Sequence, residues 1–84
     1  MSESRVRLLA FAGARDVVGA PEVDLELGGA TNAAELFDRV IAAYPGLSPY
    51  RGCLRLAING AYAGLADPVR AGDEIALIPP VAGG

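Results

Sequence analysis

The residues best suited to chemistry lie at the end of the chain, where two glycines follow prolines and small apolar residues: Pro79, Pro80, Val81, Ala82, Gly83 and Gly84. Because glycine has no Cβ, Gly83 and Gly84 could pass through an opening too narrow for other residues. The α-carboxyl of Gly84, with a reference pKa of about 3.3–3.7, is ionised at pH 7 and is a poor electrophile unless it is activated. Two interpretations follow: a carboxylate that is delivered to a partner, or a frayed end of small residues.

Pro79 and Pro80 would determine how this carboxylate leaves the fold. Each proline restricts φ and lacks an N–H donor, so the pair ends sheet pairing and favours an extended, polyproline-like exit. An extended chain from Pro79 onward would reach roughly 20 Å, at about 3.3–3.6 Å per residue. We therefore predict one domain over residues 1–84, with a folded core over 5–78 and an extended, flexible tail over 79–84.

Side chains that commonly perform catalysis are scarce. The chain has no histidine and one cysteine, Cys53. The lack of histidine removes the commonest general base and metal ligand, which argues against a free-standing enzyme, and we predict no metal site. Cys53 is predicted to be a reduced, partly buried apolar residue rather than a nucleophile. All seven basic residues are arginine, so only the N-terminal amine could accept an amide-linked copy of the protein.

Composition restricts the class of protein further. A chain of 84 residues with 52% apolar content fits one small globular domain. The net charge of −3 argues against nucleic-acid binding, which requires clustered positive charge. The sequence contains neither a signal peptide nor an apolar run of 18 residues, so we expect a cytoplasmic protein without a membrane partner.

The first half of the chain predicts two strands and a helix. Residues 5–12 alternate: Val6, Leu8 and Ala10 would share one face, and Arg5, Arg7, Leu9 and Phe11 the other. Residues 13–19 are predicted to form a single turn or connector, and residues 22–27 a second strand with carboxylates facing water. Asn32 and Glu35 resemble a capping box before an amphipathic helix that should end near Tyr44.

The second half predicts three more strands. A loop over residues 46–52 precedes a strand over 54–58, and Asn59-Gly60 is a strong hairpin signal that leads to a short strand over 61–63. The last strand, ending at Ile78, is apolar on both faces. With one helix to cover one face, such a strand leaves apolar surface exposed near the tail, which is typical of a partner interface. The order of elements predicts an α+β fold with a mixed sheet of about five strands and one main helix.

The chain resembles the MoaD family, the small sulfur-carrier subunits of molybdopterin synthase, which have the ubiquitin-like β-grasp fold. The resemblance covers residues 5–84 and is carried by these segments: Phe11-Ala12 with Arg15 and Val18-Gly19, Ala57-Ile58-Asn59-Gly60, Gly72-Asp73-Glu74-Ile75-Ala76, and Pro79 to Gly84. It implies that Gly84 is adenylated with ATP by an activating enzyme and then becomes a thiocarboxylate. It also implies that Phe11, Tyr62 and Ile78 contact the partners. Arg15 is equally consistent with a partner contact and with a surface residue that closes the first turn.

The resemblance also implies the partners. These are a MoaE-like large subunit that supplies the catalytic residues, a MoeB-like adenylyltransferase and a persulfide sulfur donor, with no permanently bound cofactor. The acceptor would be cyclic pyranopterin monophosphate, and the assembly a heterotetramer. Three other functions stay open: a carrier for thiazole or cysteine synthesis, a ubiquitin-like protein modifier, and an interaction module with an inert tail.

Overall fold

The computed structural model describes residues 4–79, which form five strands, two α-helices and one 3₁₀ helix. In chain order these are β1 (Arg5–Ala10), α1 (Ala12–Val18), β2 (Glu22–Glu26), α2 (Ala33–Ala43), the 3₁₀ helix η1 (Pro45–Tyr50), β3 (Arg55–Ile58), β4 (Ala61–Ala63) and β5 (Glu74–Ile78).

The five strands form one mixed sheet in the order β2-β1-β5-β3-β4. The central pair, β1 and β5, is parallel, and the other three pairs are antiparallel. A parallel pair requires a crossover connection, and here α2 carries the chain across one face of the sheet from β2 to β3, before β4 and β5 follow. The arrangement is the ubiquitin-like β-grasp, as the resemblance implied.

The core lies between α2 and one face of the sheet. Leu36, Phe37 and Val40 of α2 are buried against alternate residues of the strands, including Leu8 and Ile75, which are fully buried. The alternation predicted for β1 is therefore confirmed, because its apolar set faces α2. The other face of the sheet, which we call the open face, is covered by neither helix in the described residues.

The capping of α2 follows the prediction closely. The Asn32 side-chain oxygen accepts from the Glu35 N–H at 2.9 Å. The Glu35 carboxylate returns to the Thr31 N–H at 2.8 Å and to the Thr31 hydroxyl at 3.0 Å, one residue earlier than in the usual capping box. The helix ends at Ala43, since Tyr44 precedes a proline and leaves the helical region.

The predicted connector over residues 13–19 is wrong, because α1 is a helix of seven residues. Its N-cap, Phe11, makes no side-chain capping bond, and Gly19 ends the helix in the left-handed conformation with its N–H donating to the Arg15 carbonyl at 2.8 Å. Ala14 is buried in the core and Val17 packs against it. Packing therefore stabilises a helix that is too short to be favoured by local propensity.

Two further predictions need correction at the segment that follows α2. The predicted loop begins with the 3₁₀ helix η1, whose Leu47 is completely buried and ties the segment to the core. Cys53, predicted to be partly buried, is exposed and has a free thiol. It lies in the turn between η1 and β3, where the flanking Leu54 takes the buried position instead.

Candidate functional site

The residues with the predicted chemistry lie beyond the part of the chain that the structure describes. Pro80, Val81, Ala82, Gly83 and Gly84 fall outside residues 4–79. Pro79 is described: it follows β5 directly and is half-buried. The division into a core over 5–78 and a tail over 79–84 stays a prediction, and the surface around Pro79 is the described part of the site.

An apolar row crosses the open face of the sheet near this exit. The strand registers pair Leu9 with Ala76, Ala76 with Ala57, and Ala57 with Tyr62, so the four residues lie side by side on β1, β5, β3 and β4. Tyr62, on the edge strand, is 69% exposed, whereas Leu9 and Ala76 are half-buried and Ala57 is buried. The row is a continuous apolar strip on the face that no helix of residues 4–79 covers.

Phe11 and Ile78 extend this strip toward the exit of the chain. Ile78 lies two residues beyond Ala76 on β5, and Phe11 lies two residues beyond Leu9, directly after the end of the parallel neighbour β1. Phe11 keeps extended backbone angles after β1 ends and remains 49% exposed. The three predicted interface residues Phe11, Tyr62 and Ile78 are therefore brought onto one face. We call the set Leu9, Phe11, Ala57, Tyr62, Ala76 and Ile78 the docking face.

Three members of the docking face, Leu9, Ala57 and Ala76, were absent from the predicted interface. Strand parity already separated Leu9 and Ala76 from the core-facing residues. That signal does not show which strands are neighbours, and only the strand order places the two residues and Ala57 in one row.

The opposite end of the open face is charged. The Arg7 guanidinium lies 3.0 Å from the Glu22 carboxylate across β1 and β2, and the Arg5 guanidinium lies 4.0 Å from Glu26. Exposed ion pairs of this kind contribute little stability, about 0–1 kcal/mol each. They do give the apolar strip a polar border on one side, as protein interfaces commonly have.

A small apolar pocket lies behind the docking face at the root of the tail. It has a volume of about 270 Å³ and is lined by Ala12, Gly13, Ala14, Leu47, Tyr50, Leu54 and Pro79. These residues come from α1, η1 and the entry to β3, so the two short helices missing from the predicted topology border the start of the tail. Arg15 is exposed and lines a shallow hollow beside Phe11 and Glu22. The exposed position of Arg15 is consistent both with a partner contact and with a surface residue that closes the first turn.

Asp73 and Glu74 have a structural role. The Asp73 carboxylate accepts from the Asn59 side-chain amide at 3.0 Å and from the Arg70 N–H at 2.8 Å. The Glu74 N–H donates to the Asn59 side-chain oxygen at 2.9 Å. These bonds join the β3–β4 hairpin to the start of β5.

The described residues contain neither a metal-binding group nor a membrane-spanning helix. No group of three or more His, Cys, Asp or Glu side chains within residues 4–79 could hold a metal ion. None of the helices in the same range is long and apolar enough to cross a membrane. What the described site offers is an exposed apolar strip, with the chain leaving the sheet at one end of it, and such strips commonly mark protein interfaces.

Comparison with known proteins gives consistent results. The sequence model of the ThiS family matches residues 8–84. The chain is 32% identical over 83 residues to the molybdopterin synthase sulfur carrier subunit of Arabidopsis thaliana, and the alignment covers 99% of this chain and 86% of that protein. Among solved structures, SAMP1 of Haloferax volcanii is similar, with a TM-score of 0.81, 30% identity, and coverage of 95% of this chain and 99% of that one.

A structure of a complex also resembles this chain. It contains subunits 1 and 2 of the molybdopterin-converting factor from Helicobacter pylori. The matching chain has a TM-score of 0.66 and 26% identity, with coverage of 95% of this chain and 99% of that one.

Proposed function

Because the chain belongs to the ThiS family, we propose that it is a sulfur carrier and serves as the small subunit of a molybdopterin synthase. The observation that carries the proposal is the docking face, an apolar strip on the uncovered side of the sheet that ends where the chain leaves toward Gly84. Relatives named molybdopterin synthase sulfur carrier subunit support the molybdopterin branch. The similar H. pylori chain, solved with a second subunit, supports a large-subunit partner.

In this function Gly84 carries the reacting group. Its carboxylate attacks the α-phosphate of ATP in the activating enzyme, which releases pyrophosphate and forms an acyl-adenylate. A persulfide sulfur of the donor then displaces AMP and leaves an acyl disulfide. A thiol reduces the S–S bond, and the tail keeps a thiocarboxylate whose sulfur is a better nucleophile than the carboxylate oxygen.

The carrier then delivers the sulfur to an acceptor that it does not bind alone. The docking face would associate with a MoaE-like large subunit, and Gly83 and Gly84 would enter the active site of that subunit because they lack side chains. Cyclic pyranopterin monophosphate accepts the sulfur there. The acid–base residues belong to the large subunit, and two copies of each subunit form a heterotetramer in the cytoplasm.

Intact mass spectrometry tests this function directly. The protein is incubated with ATP, a MoeB-like activating enzyme and a persulfide donor, and we expect a mass gain equal to the replacement of one oxygen by sulfur. A variant that lacks Gly84 should show no gain while it unfolds with the same cooperativity as the wild type. A wild-type protein that is not converted under conditions that thiocarboxylate a known carrier would contradict the sulfur-carrier function.

The acceptor is tested separately. Thiocarboxylated protein is mixed with a large subunit and cyclic pyranopterin monophosphate, or with the thiazole-forming or cysteine-forming acceptor system. We expect sulfur transfer with the first mixture. Sulfur transfer only with the thiazole-forming or only with the cysteine-forming system would be consistent with a sulfur carrier. It would contradict the assignment to molybdopterin synthesis.

A second candidate function, that of a ubiquitin-like modifier, is favoured by the similarity to SAMP1, a small archaeal modifier protein. A modifier would form an isopeptide bond between Gly84 and a lysine of another protein. Since this chain has no lysine, chains of linked copies could not form through its side chains. Cell extracts should show adducts of other proteins that depend on Gly84 if this function is present, and only the free protein if it is absent.

A further inference from the structure

A cleft at the edge of the sheet adjoins the docking face and is not explained by it. The cleft has a volume of about 550 Å³ and lies between α2, the turn after η1 and the β3–β4 pair. Its main side chains are Phe37, Arg51, Leu54, Arg55, Tyr62 and Leu65. We call it the edge cleft.

The walls of the edge cleft expose large apolar groups. The described residues contain four exposed large apolar side chains, and two of them, Tyr62 at 69% and Leu65 at 62% exposure, line this cleft. Its floor includes Phe37 and Leu54, which belong to the core and are nearly buried. Exposed apolar groups that border a concave surface mark a site for another molecule.

The rim of the edge cleft is positively charged. Arg51 is held in place by an ion pair with Asp38 and by its position over the Phe37 ring, 5.1 Å from the ring centroid. Arg55, by contrast, forms no ion pair within residues 4–79. Since no carboxylate of the described residues pairs with Arg55, its guanidinium can attract a carboxylate on a partner.

The edge cleft is continuous with the docking face. Arg55 is paired with Ile78 across β3 and β5, and Tyr62 belongs to both surfaces. A partner that covers the docking face near the exit of the chain therefore reaches the rim of the cleft without a gap.

We propose that the edge cleft docks a segment of the acceptor subunit that carries a carboxylate next to an apolar side chain. The carboxylate pairs with Arg55, and the apolar side chain packs against Tyr62 and Leu65, the two exposed apolar residues of the cleft. This proposal rests on the proposed function, because it assigns a second contact to the subunit that receives the sulfur.

Two charge reversals test the proposal. Arg55→Glu is compared with Arg70→Glu, which changes the net charge equally at an exposed arginine outside the cleft that also forms no ion pair in the described residues. We expect Arg55→Glu to weaken binding to the cognate large subunit about tenfold at low salt, with a smaller difference at high salt, and Arg70→Glu to change it less than about twofold. Equal losses for both variants would assign the effect to net charge and overturn the proposal.

A second pair separates the edge cleft from the docking face. Leu65→Gln is compared with Tyr50→Gln, a similarly exposed apolar residue outside the cleft. Leu65→Gln should weaken binding about fivefold and Tyr50→Gln by less than about twofold, with unchanged thermal unfolding for both. Unchanged affinity of the Leu65 variant would overturn the proposal.

The same variants would reveal a different partner in the edge cleft. A loss confined to the activating enzyme, or a change in self-association measured by sedimentation, would overturn the assignment to the acceptor subunit. A wild-type protein that does not bind the large subunit would contradict the proposed function together with this proposal. Wild-type binding that the Arg55 and Leu65 variants fully retain would contradict the proposal alone.

Discussion

Ala57 on β3 lies directly opposite Ala76 on β5, and both face away from α2. Because both side chains are small, the surface between Leu9 and Tyr62 does not protrude from the sheet. A flat apolar surface of a partner can therefore approach the sheet backbone closely. Charged residues are commonly depleted at the centre of an interface and concentrated at its border. The ion pairs of Arg7 and Arg5 at the other end of the face follow that pattern.

The central position gives the first prediction. Ala76→Arg introduces a charge into the middle of the docking face, and we expect it to weaken binding to the large subunit at least about tenfold, or about 1.4 kcal/mol. Calorimetric titration measures the affinity. The matched control is Ala42→Arg on the exposed side of α2, which should bind as the wild type does. A control that binds as weakly as the Ala76 variant would contradict the location of the interface.

The two exposed tyrosines give the second prediction. Tyr62→Ala should cost about 2 kcal/mol of binding free energy, because Tyr62 belongs to both the docking face and the edge cleft, and exposed aromatic side chains are common hot spots of interfaces. Tyr50→Ala, which removes a ring of similar exposure from η1, should cost less than about 0.5 kcal/mol. Comparable losses for both variants would mean that the interface extends around η1, contrary to the docking face defined above.

The third prediction concerns Asn59, which has φ of 52° and joins the hairpin to β5 through its side chain. Asn59→Ala should lower the free energy of unfolding by about 1–3 kcal/mol. The substitution removes two hydrogen bonds, and alanine tolerates the left-handed region less well than asparagine does, because it has no polar side chain to bond locally. Urea denaturation measures the loss. Asn59→Gly, which accepts the backbone angle but also lacks the bonds, should fall between alanine and the wild type, and three equal stabilities would refute the explanation.

The fourth prediction tests the anchoring of η1. Leu47 is completely buried, so Leu47→Ala should lower the free energy of unfolding by about 2–5 kcal/mol. Leu65→Ala, at a position that is 62% exposed, should change it by less than about 0.5 kcal/mol. Chemical denaturation of both variants gives the comparison, and a small effect at Leu47 would show that η1 does not pack as described.

The cap of α2 provides the fifth prediction. Asn32→Ala should destabilise the protein by about 1 kcal/mol, because the Glu35 N–H loses its acceptor. Asn32→Asp keeps an acceptor at the helix N-terminus and should retain most of the stability. If both substitutions have the same effect in thermal unfolding, the side-chain bond is not what stabilises the helix start.

Much of this protein could be read from local patterns along the chain. The alternation of Val6, Leu8 and Ala10, the cap formed by Asn32 and Glu35, and the Asn59-Gly60 hairpin each depend on interactions within a few residues, so the pattern alone indicated the element. The proposal that Gly84 carries the reacting group also comes from a local pattern, because Gly83-Gly84 after two prolines is visible without any fold.

The tertiary structure decided what depends on contacts between distant residues. The helix α1 and the 3₁₀ helix η1 have weak local signals and form because Ala14 and Leu47 reach the core, and Cys53 is exposed because Leu54 takes the buried place beside it. The docking face likewise requires Leu9, Ala76, Ala57 and Tyr62 to be neighbours, although they are widely separated along the chain. Strand parity fixes the side of a sheet on which a residue lies, whereas only the order and register of the strands bring such residues together.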